Sequence, residues 1–118
     1  MQQILVIDNE KSLLDVFQKA LSKFGCHIEI ASDVTEGIKK FDDGLFDLVI
    51  TDILMPGGNG SDIVRHIRNS DRQFTPVIGI SGTPWLLNNT DFDRVFTKPF
   101  PLKELVDAVH DLSSTSSK

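Results

Sequence analysis

Cysteine is almost missing from this chain. Cys26 stands alone, which excludes an internal disulfide and a cysteine-based metal knuckle. A single thiol of this kind reads as a small apolar packing residue in a reducing compartment. Histidine is sparse as well: His27, His66 and His110 are scattered without metal-ligand spacing, so no histidine metal centre is expected. No apolar run is long enough to span a bilayer, and the N-terminus lacks the basic region of a signal peptide. The expected setting is the cytoplasm, with no membrane partner. Positive charge is also in deficit. A net charge of −5 argues against direct nucleic-acid binding, which needs a clustered basic face. Gly57, Gly58 and Gly60 do not make a nucleotide-binding loop, because no Lys-Ser/Thr ending comes after them. Their expected job is to let a loop turn tightly.

What the chain does have is alternation. Its 118 residues suit one domain with a single core. Short β-branched runs alternate with longer helical patterns, the mark of an open parallel α/β sheet covered on both faces. Strands are expected over residues 4–7, 27–31, 46–51, 77–80 and 95–97. A first helix is expected over 10–24, with Leu13, Phe17, Ala20, Leu21 and Phe24 on one stripe and Gly25 as its stop. A second, over 33–41, turns Val34, Ile38 and Phe41 inward and is capped by Asp33 with Glu36. A third, over 59–68, buries Ile63, Val64 and Ile67. A last helix opens at Pro101 and puts Leu102, Leu105, Val106, Val109 and Leu112 on the core side. Between Ser81 and Lys98 the pattern is stunted. Thr83-Pro84-Trp85-Leu86-Leu87 allows one or two turns before Asn88-Asn89-Thr90-Asp91 stops them, so a shortened fourth crossover helix is expected. Residues 1–112 read as the domain and 113–118 as a polar, disordered tail.

The chemistry-bearing residues stand at strand ends. The first strand ends in Asp8, the third in Asp52, the fourth in Ser81, and the fifth in Lys98 before Pro99. Parallel α/β sheets place ligand sites beyond the carboxyl ends of their strands. Two acids, a hydroxyl and an amine from four strands can therefore converge on one small volume. That set suits phosphoryl chemistry on a carboxylate, where a nucleophilic acid needs in-line positioning and neutralised phosphoryl oxygens.

Four motifs in order, Ile7-Asp8-Asn9-Glu10, Thr51-Asp52-Ile53-Leu54-Met55-Pro56, Ser81-Gly82 and Lys98-Pro99-Phe100, resemble the CheY-like receiver domain of two-component response regulators. The resemblance covers residues 3–112. It implies a flavodoxin-like, doubly wound, five-stranded parallel sheet in the order 2-1-3-4-5. It also implies a phosphoacceptor module, not an enzyme in the ordinary sense, that takes a phosphoryl group from a histidine kinase or phosphotransfer protein in a Mg²⁺-dependent reaction. By resemblance Asp52 is the phosphoacceptor, and Asp8, Asn9, Asp52 and the main-chain carbonyl of Leu54 hold Mg²⁺. Lys98 and Ser81 engage the phosphoryl oxygens. The Lys98–Pro99 bond is expected to be cis, and a switched surface to address an output domain, a downstream protein or a second copy in a homodimer.

Three departures carry information. Asn9 stands where the family most often has a second acid. An amide oxygen still ligates Mg²⁺ but removes a negative charge, so weaker metal binding is expected. Val95 stands where the family usually has a swinging Tyr or Phe, and valine is short and stiff at χ1. Phe96, next to it, points to the other face of the strand. The segment from Ser81 to Lys98 is also shorter than usual by roughly one helical turn of residues. The expected output surface is therefore the first or last helix, or the site relays phosphate onward. Two rivals stand beside this reading. A degenerate pseudo-receiver, acting as a phosphate-independent interaction module, is favoured by these departures and opposed by Asp52, Ser81 and Lys98. A small phosphatase needs a second acid close behind its aspartyl nucleophile, where Leu54 stands.

Overall fold

Strands form from the short β-branched runs, and the longer amphipathic runs pack over them as helices. A computed structural model describes residues 2–55, 58–82 and 92–116. In chain order these form β1 (Gln2–Ile7), α1 (Lys11–Ser22), β2 (Cys26–Ala31), α2 (Val34–Asp43), β3 (Leu48–Asp52), β4 (Leu54–Met55), β5 (Gly58–Asn59), α3 (Gly60–Arg68), β6 (Val77–Ser81), β7 (Arg94–Thr97) and α4 (Leu102–Ser116). Five strands make one parallel sheet in the order β2-β1-β3-β6-β7. Numbered within that sheet alone, this is the flavodoxin-like order 2-1-3-4-5 that the motifs imply. β4 and β5 pair only with each other, antiparallel, through Leu54 with Asn59 and Met55 with Gly58. The shortened fourth crossover helix is expected within residues 83–91, which lie outside the described residues.

The alternation along each strand decides which helix it meets. Ile4, Val6, Leu48 and Ile50 face α1 and α4, against Leu14, Phe17, Leu21, Leu105 and Val109. Leu5, Ile7 and Val49 face α2 and α3, against Phe41, Ile63, Val64 and Ile67. Burying each such side chain contributes roughly 1.5–3 kcal/mol relative to exposure, so an apolar layer on each face clamps the sheet. Because the strands are parallel, their carboxyl ends share one edge. The connections leave β1 and β3 in opposite directions, which opens a crevice beyond those two ends.

Local chemistry sets the boundaries. The Asp33 carboxylate accepts the Glu36 N–H at 2.7 Å, and Glu36 Oε1 reaches back to the Ser32 N–H at 2.7 Å, which is the expected cap pair. After α1 the chain turns at Gly25, with φ 79°, a conformation that costs a residue without Cβ little. That early end corrects one expectation. Phe24 does not join the core stripe but is 54% exposed, with its ring edge-on to His110 at 5.7 Å between centroids. Leu13 packs against the core but stays partly exposed, and its neighbour Leu14 is the buried leucine of the pair. α4 runs to Ser116, so the backbone of residues 113–116 is helical where a disordered tail was expected. A helix already docked through Leu105 and Val109 extends cheaply, because each added residue gains a hydrogen bond without a new nucleus. No helix among the described residues is long and apolar enough to cross a membrane.

Candidate functional site

β3 is buried along its whole length and delivers Asp52 to the carboxyl edge of the sheet. The chain then stays tied to the sheet: the Ile53 N–H donates to Ile80 O at 2.8 Å, and the Gly60 N–H donates to Ile53 O at 2.9 Å. Gly60 is required there. A Cβ on it would lie 2.4 Å from the carbonyl oxygen of Asp52, so only glycine lets the start of α3 press against the end of β3. β1 delivers Asp8 beside Asp52. The Asp8 N–H donates to Ala31 O at 3.0 Å, and Asp8 Oδ1 accepts the Glu10 N–H at 2.9 Å. The other oxygen, Asp8 Oδ2, is buried without a hydrogen-bond partner among the described residues. β7 delivers Lys98, whose N–H donates to Ser81 O at 2.8 Å, and the Lys98–Pro99 bond is cis as expected.

Three acids surround the Lys98 ammonium. Its Nζ lies 3.6 Å from Asp52 Oδ2, 3.9 Å from Asp8 Oδ2 and 3.2 Å from Glu10 Oε1. Ser81 closes β6 on the same edge and is buried. The structure thus brings Asp8, Asp52, Ser81 and Lys98 together at one rim. Asn9 comes directly after Asp8, on the exposed side, and lines a groove of about 300 Å³ with Lys11, Ser32 and Lys40. Leu54 lies two residues past Asp52, with its side chain half exposed, and pairs with Asn59. Val95 packs on the α2–α3 side of the sheet, while Phe96 turns to the opposite side and meets Phe100 at 5.3 Å between centroids.

The electrostatics are those of a pair of carboxylates short of positive charge. Burial pushes the Asp8 carboxyl above its usual range, the Glu10 N–H pulls it down, and the neighbouring charge of Asp52 adds to the rise. Burial likewise raises Asp52, against the pull of Lys98 and the N–H groups of Ile53 and Leu54. For Lys98, burial favours the neutral amine, but Asp52, Asp8 and Glu10 together outweigh it and hold the ammonium charged.

Sequence reasoning misses Glu10 as a site residue. The sequence shows it only as the start of a helix, and nothing in a linear pattern announces that its side chain reaches a lysine from the far end of the chain. Among the described residues no three His, Cys, Asp or Glu side chains form a metal cage. The donors at the rim are oxygens, and the unmet Asp8 Oδ2 beside a second buried carboxylate fits a hard divalent cation that keeps several waters.

Comparison with known proteins agrees with this geometry. The family model for the response regulator receiver domain matches residues 4–110. The transcriptional regulatory protein TrcR of Mycobacterium tuberculosis is 32% identical over 120 residues, covering 98% of this chain and 46% of TrcR. A receiver domain from Clostridium thermocellum superposes with a TM-score of 0.91 at 29% identity, covering 99% of this chain and 98% of that one. Response regulator TrrA of Thermotoga maritima, solved in complex with Mg²⁺-BeF, superposes with a TM-score of 0.87 at 30% identity, covering 95% of this chain and 99% of TrrA. This chain spans about half the length of the curated relatives it matches. Such domains serve response regulators as signalling modules. With this sheet order, these strand-end residues and a family match over nearly its full length, the chain belongs to the response regulator receiver domains of two-component systems.

Proposed function

We propose that this domain accepts a phosphoryl group on Asp52 from a histidine kinase or phosphotransfer protein, in a Mg²⁺-dependent reaction, and passes the change to an output domain or a downstream protein. One observation carries the reading: among the described residues, two buried carboxylates, one with an oxygen that meets no donor, face a single lysine at the carboxyl edge of the sheet. A module that only bound a partner would gain nothing from burying two such charges without full pairing.

Asp8, Asn9, Asp52 and the Leu54 carbonyl would hold Mg²⁺. When bound, the ion supplies neutralisation of the phosphoryl oxygens and of the two acids. The remaining roles belong to the chain. Burial limits the hydration of the Asp52 carboxylate, and the nearby Ile53 and Leu54 N–H dipoles favour its charged form. One Asp52 oxygen forms the new bond to phosphorus as the bond to the donor nitrogen breaks, and the electron pair leaves with the imidazole. The Lys98 ammonium offsets charge on a phosphoryl oxygen as a mobile point charge. The Ser81 hydroxyl donates to another.

Labelling with a small-molecule phosphodonor tests this. Wild type with Mg²⁺ should gain an alkali-labile acyl phosphate, while Asp52→Asn, or wild type in EDTA, should gain none. Equal label on Asp52→Asn would move the phosphoacceptor elsewhere and sink the proposal.

A further inference from the structure

We infer that Glu10 is the resting counter-ion of Lys98, a positioning residue that draws the ammonium toward the rim and keeps the Asp8–Asp52 pair open to a divalent cation. The inference rests on the proposed reading of that pair as the Mg²⁺ site. Of the three acids around Lys98 Nζ, Glu10 is nearest, at 3.2 Å, against 3.6 Å for Asp52 and 3.9 Å for Asp8. Its main chain is pinned to the site, since its N–H is the donor to Asp8 Oδ1 at 2.9 Å. Its side chain is 58% exposed and reaches across to Lys98.

The competition is electrostatic. A lysine ammonium carries three donors on a flexible stem and moves readily between acceptors. Lys98 and a divalent cation seek the same two carboxylates. Without an outer acid, Lys98 would settle deeper and satisfy Asp8 Oδ2, which meets no donor among the described residues. A cation would then have to displace it. With Glu10 in place, the ammonium has a hydrated partner at the rim and the inner oxygen stays available. Glu10 thus offsets part of the charge given up at Asn9, through Lys98 and not through contact with the metal.

A double-mutant cycle read by Mg²⁺ calorimetry tests this on the intact chain. Glu10→Gln should weaken Mg²⁺ binding about two- to fivefold, the range of a partly exposed ion pair. Lys98→Met should tighten it, and adding Glu10→Gln to Lys98→Met should then change nothing, because the effect acts through the lysine. An equal weakening in both backgrounds would show Glu10 acting on the cation directly, and no effect in either would show no role; both overturn the inference. Wild type that neither binds Mg²⁺ nor gains acyl phosphate would overturn the proposed function and this inference together. Wild type that does both, with a flat cycle, removes this inference alone.

Discussion

At the amino-terminal edge of the sheet, Arg68 donates to Gln73 O at 2.8 Å and Thr75 O at 2.7 Å, and its other terminal nitrogen meets Asp93 Oδ2 at 2.9 Å. Asp93 in turn accepts the Val77 N–H at 2.7 Å, where β6 begins. Nearby, Asp47 accepts the Gln3 N–H at 2.8 Å, and Arg72 donates to Gly44 O while its guanidinium lies 4.5 Å from the Phe41 ring centroid. At the carboxyl-terminal edge, among the described residues, Asp8 Oδ2 has no donor and two buried acids share one lysine with a third. The residue types are alike; their use differs. One edge commits its charges to backbone groups that strands and turns leave over. The other keeps charge in reserve, which costs stability and suits the ion and phosphoryl group of the proposed function.

The largest break in this comparison comes from the closed edge. Arg68→Met removes the donor shared by the 73–75 turn and Asp93, and should lower unfolding free energy by about 2 kcal/mol, the order expected for hydrogen bonds to a charged group. Urea melts at neutral pH would show it, and an unchanged midpoint would mean the network is decorative. The open edge should respond with the opposite sign. In metal-free protein, Asp8→Asn keeps an acceptor for the Glu10 N–H and removes a buried charge, so it should raise stability by about 1 kcal/mol at pH 7. Loss of stability in EDTA would contradict the reserve of charge.

The smallest effect is in the pH profile. Asp8 and Asp52 both lie above the usual aspartate value when folded. The folded state therefore holds their protons more tightly than the unfolded chain does. Their cost is absent below the usual value, grows as pH rises toward the raised values, and is constant above them. Metal-free wild type should lose stability across that window. Asp8→Asn should flatten the loss, and melts at a series of pH values would show whether it does.

Much of this is legible in the sequence. Strand-end positions of Asp8, Asp52, Ser81 and Lys98 come from β-branched runs that stop at those residues, and parallel order puts the stops on one edge. Ile63, Val64 and Ile67 can be placed in the core because their spacing allows one helical face. Leu13 and Leu14 are not separable, since adjacent leucines both suit a wide apolar stripe. Phe24 misleads because the helix ends before the stripe does. The β4–β5 hairpin has two residues a side, too few for any period to register. Glu10 is hidden for a different reason. Its role depends on Lys98, eighty-eight positions away, and only the assembled sheet brings them together.

Gly60 sets how closely α3 sits on Asp52. With room for no atom larger than hydrogen between the two segments, the last carbonyl of β3 and the first turn of α3 behave as a single joint. A shift of the aspartate main chain would press directly on the first turn of α3. In a domain whose Val95 has no ring to rotate, this contact is the direct mechanical link from the proposed phosphoacceptor to a helix.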